Sequence, residues 1–518
     1  MNINRVKVLN NVNAEYTENK IEQKVTSSGN VLYKMSREHR VENNWSLIYA
    51  QKLAIENEAK LFVIYTHYDK KWECITRTVD FILDNLKLVQ KGLFDKNISF
   101  EYVNISHRVG ANKENNTSKF LTDYCKENNI NSVVTDMTPQ REQNIWQESF
   151  LGNEENKDIS LHIVDAHNVI PVWITSDKQE FAARTIRTKI YKKIESFIIG
   201  DENKYIKINK HTDNDEKYVK NIFKNTDWVK IKKDFKCIES VEVFKETNFL
   251  TGESEAKKRL EIFLKDRLEN YDIDRNVATL RGQSDLSPYI TLGMLSKQEV
   301  FNTILEKYKL KVNDVLDPEK NGSGDAVMEN RTGLDDRLLK SIRAFVEELV
   351  IRGDLTDNYV YYNSDYDNFY GLADWAKLSL QKGRSDKREY IYDLEDFEKA
   401  NTHDTLWNAA QNEMIRSGKM HGYMRMYWAK KILEWTKNPE EAIKIAVYVN
   451  DKYNLDGWCP NGFAGILWSI GGLHDRAWFP RPVYNTIRYM AVSGCQKKFN
   501  IEEYKNKWNT NQDKNKLF

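Results

Sequence analysis

No stretch of this chain approaches the roughly 20 consecutive apolar residues of a membrane-spanning helix. Its first residues are polar, rich in Asn, Lys and Glu, and hold no apolar segment of a secretion signal. An intracellular protein without a membrane anchor is expected. Cysteine is scarce: Cys74, Cys125, Cys237, Cys459 and Cys495 are five in number, widely scattered and never spaced Cys-x-x-Cys. That pattern argues against a disulfide framework and a zinc ribbon, and no metal site is expected. Net charge is nearly absent too, with 78 Lys and Arg against 77 Asp and Glu. Any nucleic-acid surface must therefore be a local patch. No Gly-x-Gly-x-x-Gly follows the first predicted strand, so a dinucleotide dehydrogenase loses its main support.

At 518 residues the chain exceeds what one hydrophobic core usually serves, and two or three domains are expected. Residues 1–28 lack apolar periodicity and read as a tail outside the fold. Short apolar runs then alternate with helical patterns: Val31 to Tyr33, a helix around Trp45 to Ala54, Leu61 to Tyr65, a helix around Val79 to Val89, and Ser99 to Val103. Ser132 to Thr135, His162 to Asp165 and Val172 to Ile174 continue the strands. This rhythm predicts a Rossmann-like α/β domain with a parallel sheet over 29–175. Residues 176–252, Lys-, Asn- and Asp-rich from 200 on, read as an interdomain linker with short ordered pieces. Over 253–510 helical periodicity dominates, as in Ser341 to Ile351 and Gly422 to Trp435, and an all-α domain is expected.

Thirteen Trp and 27 Tyr are the unusual entries in the composition, because aromatic rings fill cores but also stack bases and relay electrons. Trp428 and Trp435, seven residues apart, share one helical face at about 10 Å rise, a spacing that core packing alone would also produce. Arg425 stands three residues before Trp428, where a guanidinium can hold an anion or a carboxylate. Between Tyr448 and Arg488, Gly, Pro and Trp crowd together with Asn450, Asp456 and His474, a mixture suited to a loop-built pocket.

Two segments, Asp404 to Trp435 and Tyr448 to Arg488, closely resemble the class II cyclobutane pyrimidine dimer photolyases of the photolyase/cryptochrome family. The match runs through Trp407-Asn408-Ala409, Gly418-Lys419-Met420-His421-Gly422 and Met424-Arg425-Met426-Tyr427-Trp428. It extends to Glu347-Glu348-Leu349-Val350, Arg481-Pro482-Val483, and Met35-Ser36-Arg37 in the N-terminal half. The resemblance implies a carbon–carbon lyase that repairs DNA by light, its FAD held reduced in the active protein within the helical domain. Tyr271, Ser284, Leu286 and Ser287 would hold the phosphates and ribityl chain. Arg425 and Asp456 would pair beside the flavin ring, with Asn450 facing it. Trp428, Trp407 and Trp435, in that order outward, would supply electrons. Trp468 would pack against the flipped dimer, and Glu348 would hydrogen-bond its carbonyls. Arg476 and Arg488 would meet DNA carrying pyrimidine dimers. The preference for Glu348 over Glu347 rests on the resemblance, because both flank the same apolar helical face.

The resemblance also implies a monomer and leaves room for an antenna chromophore of unspecified identity in the α/β domain. This sequence departs from the family pattern at Trp458-Cys459, where Arg-Asp is usual, and at Thr291, where histidine is common. Two rivals are a cryptochrome-like photoreceptor without repair activity, against which Glu348 and Trp468 argue, and a flavin oxidoreductase.

Overall fold

The computed structural model describes residues 1–10, 14–17, 20–23, 29–67, 75–105, 116–235, 249–316, 330 and 332–509. Its first half is built on a six-stranded sheet: β1 (Val6–Val8), β4 (Asn30–Met35), β5 (Leu61–His67), β6 (Ser99–Asn104), β7 (Ile130–Asp136) and β8 (Ser160–Val164), with β2 (Ala14–Thr17) and β3 (Lys20–Gln23) pairing separately. The sheet order is β1-β8-β7-β4-β5-β6, parallel throughout except for β1. The central strands are covered on both faces, and so Val31, Leu32, Tyr33 and Met35 are all fully buried, a near-continuous apolar run. Helices α1 (Trp45–Glu56), α2 (Thr76–Phe94), α3 (Asn116–Glu127) and α4 (Arg141–Leu151) supply the cover. Asn44 starts α1 by accepting hydrogen bonds from the Ser46 and Leu47 amides, the usual work of an Asn N-cap.

Chain direction across the sheet reverses between β4 and β7, and Asp136 bridges this switch point. Its carboxylate accepts from the Tyr33 hydroxyl at 2.8 Å and from the Ser36 and Arg37 amides at 2.8 and 3.0 Å. The loops leaving β4 and β7 are thereby tied together where such sheets open a crevice.

Three expectations need correction. Residues 1–28 are not wholly a tail: β1 forms the antiparallel edge of the sheet, with Val6 opposite Val164, and Arg5 is buried. The Arg5 guanidinium donates to the carbonyls of Asp165, Asn168 and Val169 and to Gln298 Oε1 in the helical half. Residues 11–13, 18–19 and 24–28 of the expected tail lie outside the described residues. Val172–Thr175 is a helical turn after Pro171, not a strand. A short β-branched run suits either state, and the proline decides by opening the turn. Between 176 and 235 the linker is well structured, with α5 (Ala183–Lys193), α6 (Glu216–Asn225) and α7 (Trp228–Asp234). Asn214 bonds both the amide and the carbonyl of Leu61, and Trp228 is buried with its indole N–H on Gln90. Residues 236–248 of that stretch lie outside the described residues.

Among the described residues the second half is predominantly helical: α8 (Glu253–Asp266), α9 (Lys297–Tyr308), α10 (Asp336–Val346), α11 (Gly353–Tyr362), α12 (Thr405–Ser417), α13 (Gly422–Glu434), α14 (Pro439–Tyr453) and α15 (Pro460–Gly471) are its main members. A buried polar seam joins the halves. Arg37 pairs with Asp357 at 2.9 Å, and Lys297 lies 3.2 Å from Asp354 and 3.4 Å from Asp357. Burial works against the charge on Asp357, but Arg37 and Lys297 outweigh it and hold the carboxylate down at about 2. Burial dominates at Asp354 and pushes it up to about 7.

Candidate functional site

A cleft enclosing about 1120 Å³ of atom-free space, its open mouth included, lies in the helical half against the seam. Of the residues singled out for a cofactor, Tyr271, Ser284, Leu286, Ser287, Arg425 and Asp456 all line it. One wall is the turn 284–287. Asp285 there has φ +58°, a left-handed backbone that Asp enters more readily than most non-glycine residues. Two cations hold it, Arg267 at 2.8 Å and Lys419 at 3.1 Å. Burial opposes its charge, yet Lys419 and Arg267 prevail and keep the carboxylate at about 2.

Asp456 links that wall to the next. It accepts from the Ser287 hydroxyl at 2.6 Å and from Arg425 at 2.7 Å, and Arg425 also donates to Asn454 Oδ1 at 3.1 Å. Although Asp456 is buried, Arg425 and Lys419 hold its carboxyl below the ordinary range. Asn450, expected to face the flavin ring, stands one step behind: its Oδ1 accepts from Asn454 and its Nδ2 donates to Asp451. It is buried in α14 and does not reach the described cleft lining. Gln283, Lys419 and Arg352, which sequence reasoning missed, are wall residues. Lys419 lies inside the Gly-Lys-Met-His-Gly match, so a signal for it was present.

Glu347 and Glu348 begin a π-helical turn, Glu347–Arg352, that follows α10 directly. The wider turn separates the two carboxylates. Glu347 leaves the cleft and pairs with Arg187 of α5 at 2.5 Å, whereas Glu348 lines the cleft and pairs with Arg275 at 2.6 Å. Glu348 is 43% exposed, a rim carboxylate tied to a cation.

Behind Arg425 on α13 lies the tryptophan cluster. Trp428 and Trp407 are stacked at 6.2 Å between ring centroids, 10° from parallel, and Trp407 meets Trp435 edge-on at 6.1 Å. All three are buried. Trp435 touches Tyr392 and His403 in turn, and His403 is exposed. The geometric order is therefore Trp428, Trp407, Trp435, from the cleft side outward.

Trp468 on α15 is half-buried, with the Lys430 ammonium 5.2 Å and the Arg488 guanidinium 5.6 Å from its ring. Arg488 also covers Trp478 and pairs with Asp475 at 3.0 Å. Arg476 is exposed beside them, and Phe479 projects with 88% of its surface free. Trp468, Arg476 and Arg488 belong to a cationic, aromatic patch around Trp478, and none of them belongs to the cleft lining.

The departures at 458 and 459 have local explanations. Cys459 caps α15 in the manner of a Ser or Asp, its sulfur accepting from the Gly462 amide at 3.3 Å while the thiol donates to the Asp456 carbonyl at 3.1 Å. Burial pushes that thiol up to about 11. Trp458, at φ +55°, donates its amide to Asp451 and accepts from Gln140 on its carbonyl, joining the halves.

Among the described residues no group of three or more His, Cys, Asp or Glu is placed to hold a metal, and no helix is long and apolar enough to cross a membrane.

The DNA photolyase family model matches residues 31–202. The deoxyribodipyrimidine photo-lyase of Potorous tridactylus is 35% identical over 477 residues, covering 92% of this chain and 80% of that protein. The deoxyribodipyrimidine photo-lyase of Arabidopsis thaliana is 36% identical over 481 residues, covering 92% and 88%. Two solved structures share the fold: a class III photolyase of Agrobacterium tumefaciens, with TM-score 0.62 at 12% identity over 94% of this chain and 88% of its own, and a cryptochrome of Synechocystis, with TM-score 0.61 at 13% identity over 93% and 86%.

Proposed function

This chain belongs to the deoxyribodipyrimidine photo-lyases of the DNA photolyase family, and from that membership we propose that it repairs cyclobutane pyrimidine dimers in DNA by light, as a monomeric flavoenzyme of class II. The observation that carries the proposal is convergence. Residues 271, 284, 286, 287, 425 and 456, distant in sequence, line one cleft, with Glu348 at its rim. A flavin-dependent photoreceptor without repair is the weaker reading, because the relatives matched over most of their length are photo-lyases.

The cleft fits FAD by its chemistry. Ser284, Gln283 and Lys419 offer hydroxyl, amide and ammonium donors suited to a pyrophosphate, the Ser287 hydroxyl already donating to Asp456, and Leu286, Ile290, Phe345, Leu349 and Met420 offer apolar panels for flat rings. FAD held there in its reduced form would supply the light-excited electron for opening the cyclobutane ring, with no net redox change. The chain's part is to bind, orient and stabilise. The Arg425–Asp456 pair puts a fixed dipole on one wall, and Asn450 supports it through Asn454. Glu348, tied to Arg275 outside the lining, brings a carboxyl to the cleft where negative charge would develop on a pyrimidine carbonyl. Glu348 itself can donate to such a carbonyl only when protonated. Trp468 gives the flipped dimer an aromatic face, and Arg476 and Arg488 face the phosphates. Trp428, Trp407 and Trp435 form the electron supply from the protein's interior. An antenna chromophore would take the crevice at the sheet's switch point, lined by Ser36, Arg37, Tyr65, Thr138, Gln140 and Trp458.

The test is to purify the protein, identify the chromophore released on denaturation, and irradiate it with a thymine-dimer duplex. FAD with blue-light repair is expected. FAD without repair would favour the photoreceptor, and FMN or no flavin would overturn the cofactor assignment.

A further inference from the structure

Lys430 is buried in α13, and nothing in its sequence context distinguishes it from the solvated lysines of an exposed helical face. Its ammonium donates to the Ser469 carbonyl at 2.8 Å, one residue along α15 from Trp468, and stands 5.2 Å from the centre of that indole. The backbone carbonyl of Lys430 accepts from the buried Tyr484 hydroxyl, which also bonds Glu434, so the lysine is anchored at both ends. Burying an ammonium with so few acceptors is costly. The return is a cation held against a ring whose other cation, Arg488, is shared with Trp478 and Asp475.

We propose that Lys430 is a positioning residue for lesion recognition, its ammonium fixing the Trp468 indole as the platform on which the flipped pyrimidine dimer rests. This rests on the reading of Trp468 given above. A cation on a ring holds the ring's plane without blocking its free face, and an indole locked before binding loses less freedom when the lesion arrives.

The device is sensitive to pH. Burial brings the Lys430 ammonium down to about 7, with Asp475 opposing the fall and Arg488 adding to it. The charged groups acting on it are Asp475 and Arg488 from the segment after α15, beside Ser469 and Trp468 of α15 itself, while Tyr484 holds its backbone carbonyl. Burial holds His474 at about 3, so that ring carries no charge change near neutrality. Tyr484 is pushed well above its usual range and is likewise silent. Lys430 is charged below about pH 7 and neutral above it, so the grip on Trp468 is present on the acid side and lost as pH rises.

The experiment uses the full chain with its flavin bound. Affinity for a duplex holding one thymine dimer, and for the same duplex undamaged, is measured from about pH 6 to 8.5. The ratio of the two isolates recognition from general attraction to phosphate. In the unaltered protein the ratio is expected to fall with rising pH by roughly three- to thirtyfold, the range a cation over an indole supplies. Lys430→Met is expected to give the low ratio at every pH, and Lys430→Arg, permanently charged, the high one. An unaltered lesion preference in Lys430→Met overturns the proposal, as does a pH-dependent ratio in that variant. Trp468→Leu separates the two readings. If it keeps the lesion preference, the platform reading itself fails; if it loses the preference while Lys430→Met keeps it, only the inference about Lys430 fails.

Discussion

The indole N–H of Trp407 donates to the backbone carbonyl of Trp428 at 3.0 Å, and the two rings lie nearly parallel. Trp428 donates in turn to Gln411 on α12, so both rings are fixed in plane and position. Trp428→Phe removes the ring nearest the cleft and leaves Gln411 without that donor. Light-driven reduction of the bound cofactor is expected to be lost, while repair after chemical reduction stays near the unaltered level. Transient absorption with and without chemical reductant checks both halves, and unchanged photoreduction would reduce the cluster to core packing.

Glu347→Ala and Glu348→Ala should part company. Glu347 neutralises the buried Arg187, so its removal is expected to lower stability by about 1–3 kcal/mol and to leave repair per bound flavin intact. Glu348 sits on an exposed rim, so its removal should barely move the melting temperature but should lower the repair yield. Reversal of the two phenotypes would exchange the assignments.

Asp285→Asn tests the cleft wall. The folded carboxylate titrates at about 2, below its ordinary 3.8, so its stabilisation is full above the unfolded value and disappears as pH falls toward 2. At neutral pH the substitution is expected to cost about 2 kcal/mol and to reduce flavin content. Acid titration of stability in both proteins should show the difference closing below pH 4.

Glu413 carries the opposite sign. Burial raises it to about 7, although the His421 amide and the Tyr504 hydroxyl both donate to it. Its proton stabilises the fold at acid pH, and that contribution is lost as pH rises from about 4.5 through 7. Glu413→Gln can accept the same two hydrogen bonds and is expected to raise stability at pH 8 by up to about 3 kcal/mol, with little change at pH 4. Equal effects at both pH values would contradict it.

How far the sequence revealed all this depends on what each feature required. The parallel strands were legible because a strand buried on both faces must be apolar throughout, as Val31 to Met35 are. β1 was not, since Val6-Lys7-Val8 is three residues long and takes its place only through pairing with β8. Helical spacing put Trp428 and Trp435 on one face but could not reveal that Trp407, from another helix, joins them. The choice between Glu347 and Glu348 turned on a π-helical turn, which breaks the 3.6-residue period used to read faces. Asp285 meets Lys419 from 134 residues away, an approach no local pattern encodes.

The placement of Arg5 also bears on the order in which the molecule can be made. Its side chain is enclosed by carbonyls from residues 165–169 and by Gln298, which lies 293 positions further along the chain. During synthesis at about 5–20 residues per second, Arg5 emerges many seconds before any of these acceptors exists. The sheet can gain its outer strand once β8 has left the ribosome, but the guanidinium is not fully enclosed until α9 follows. The earliest stretch of the nascent chain is thus among the last to settle, and it can report whether the helical half has docked.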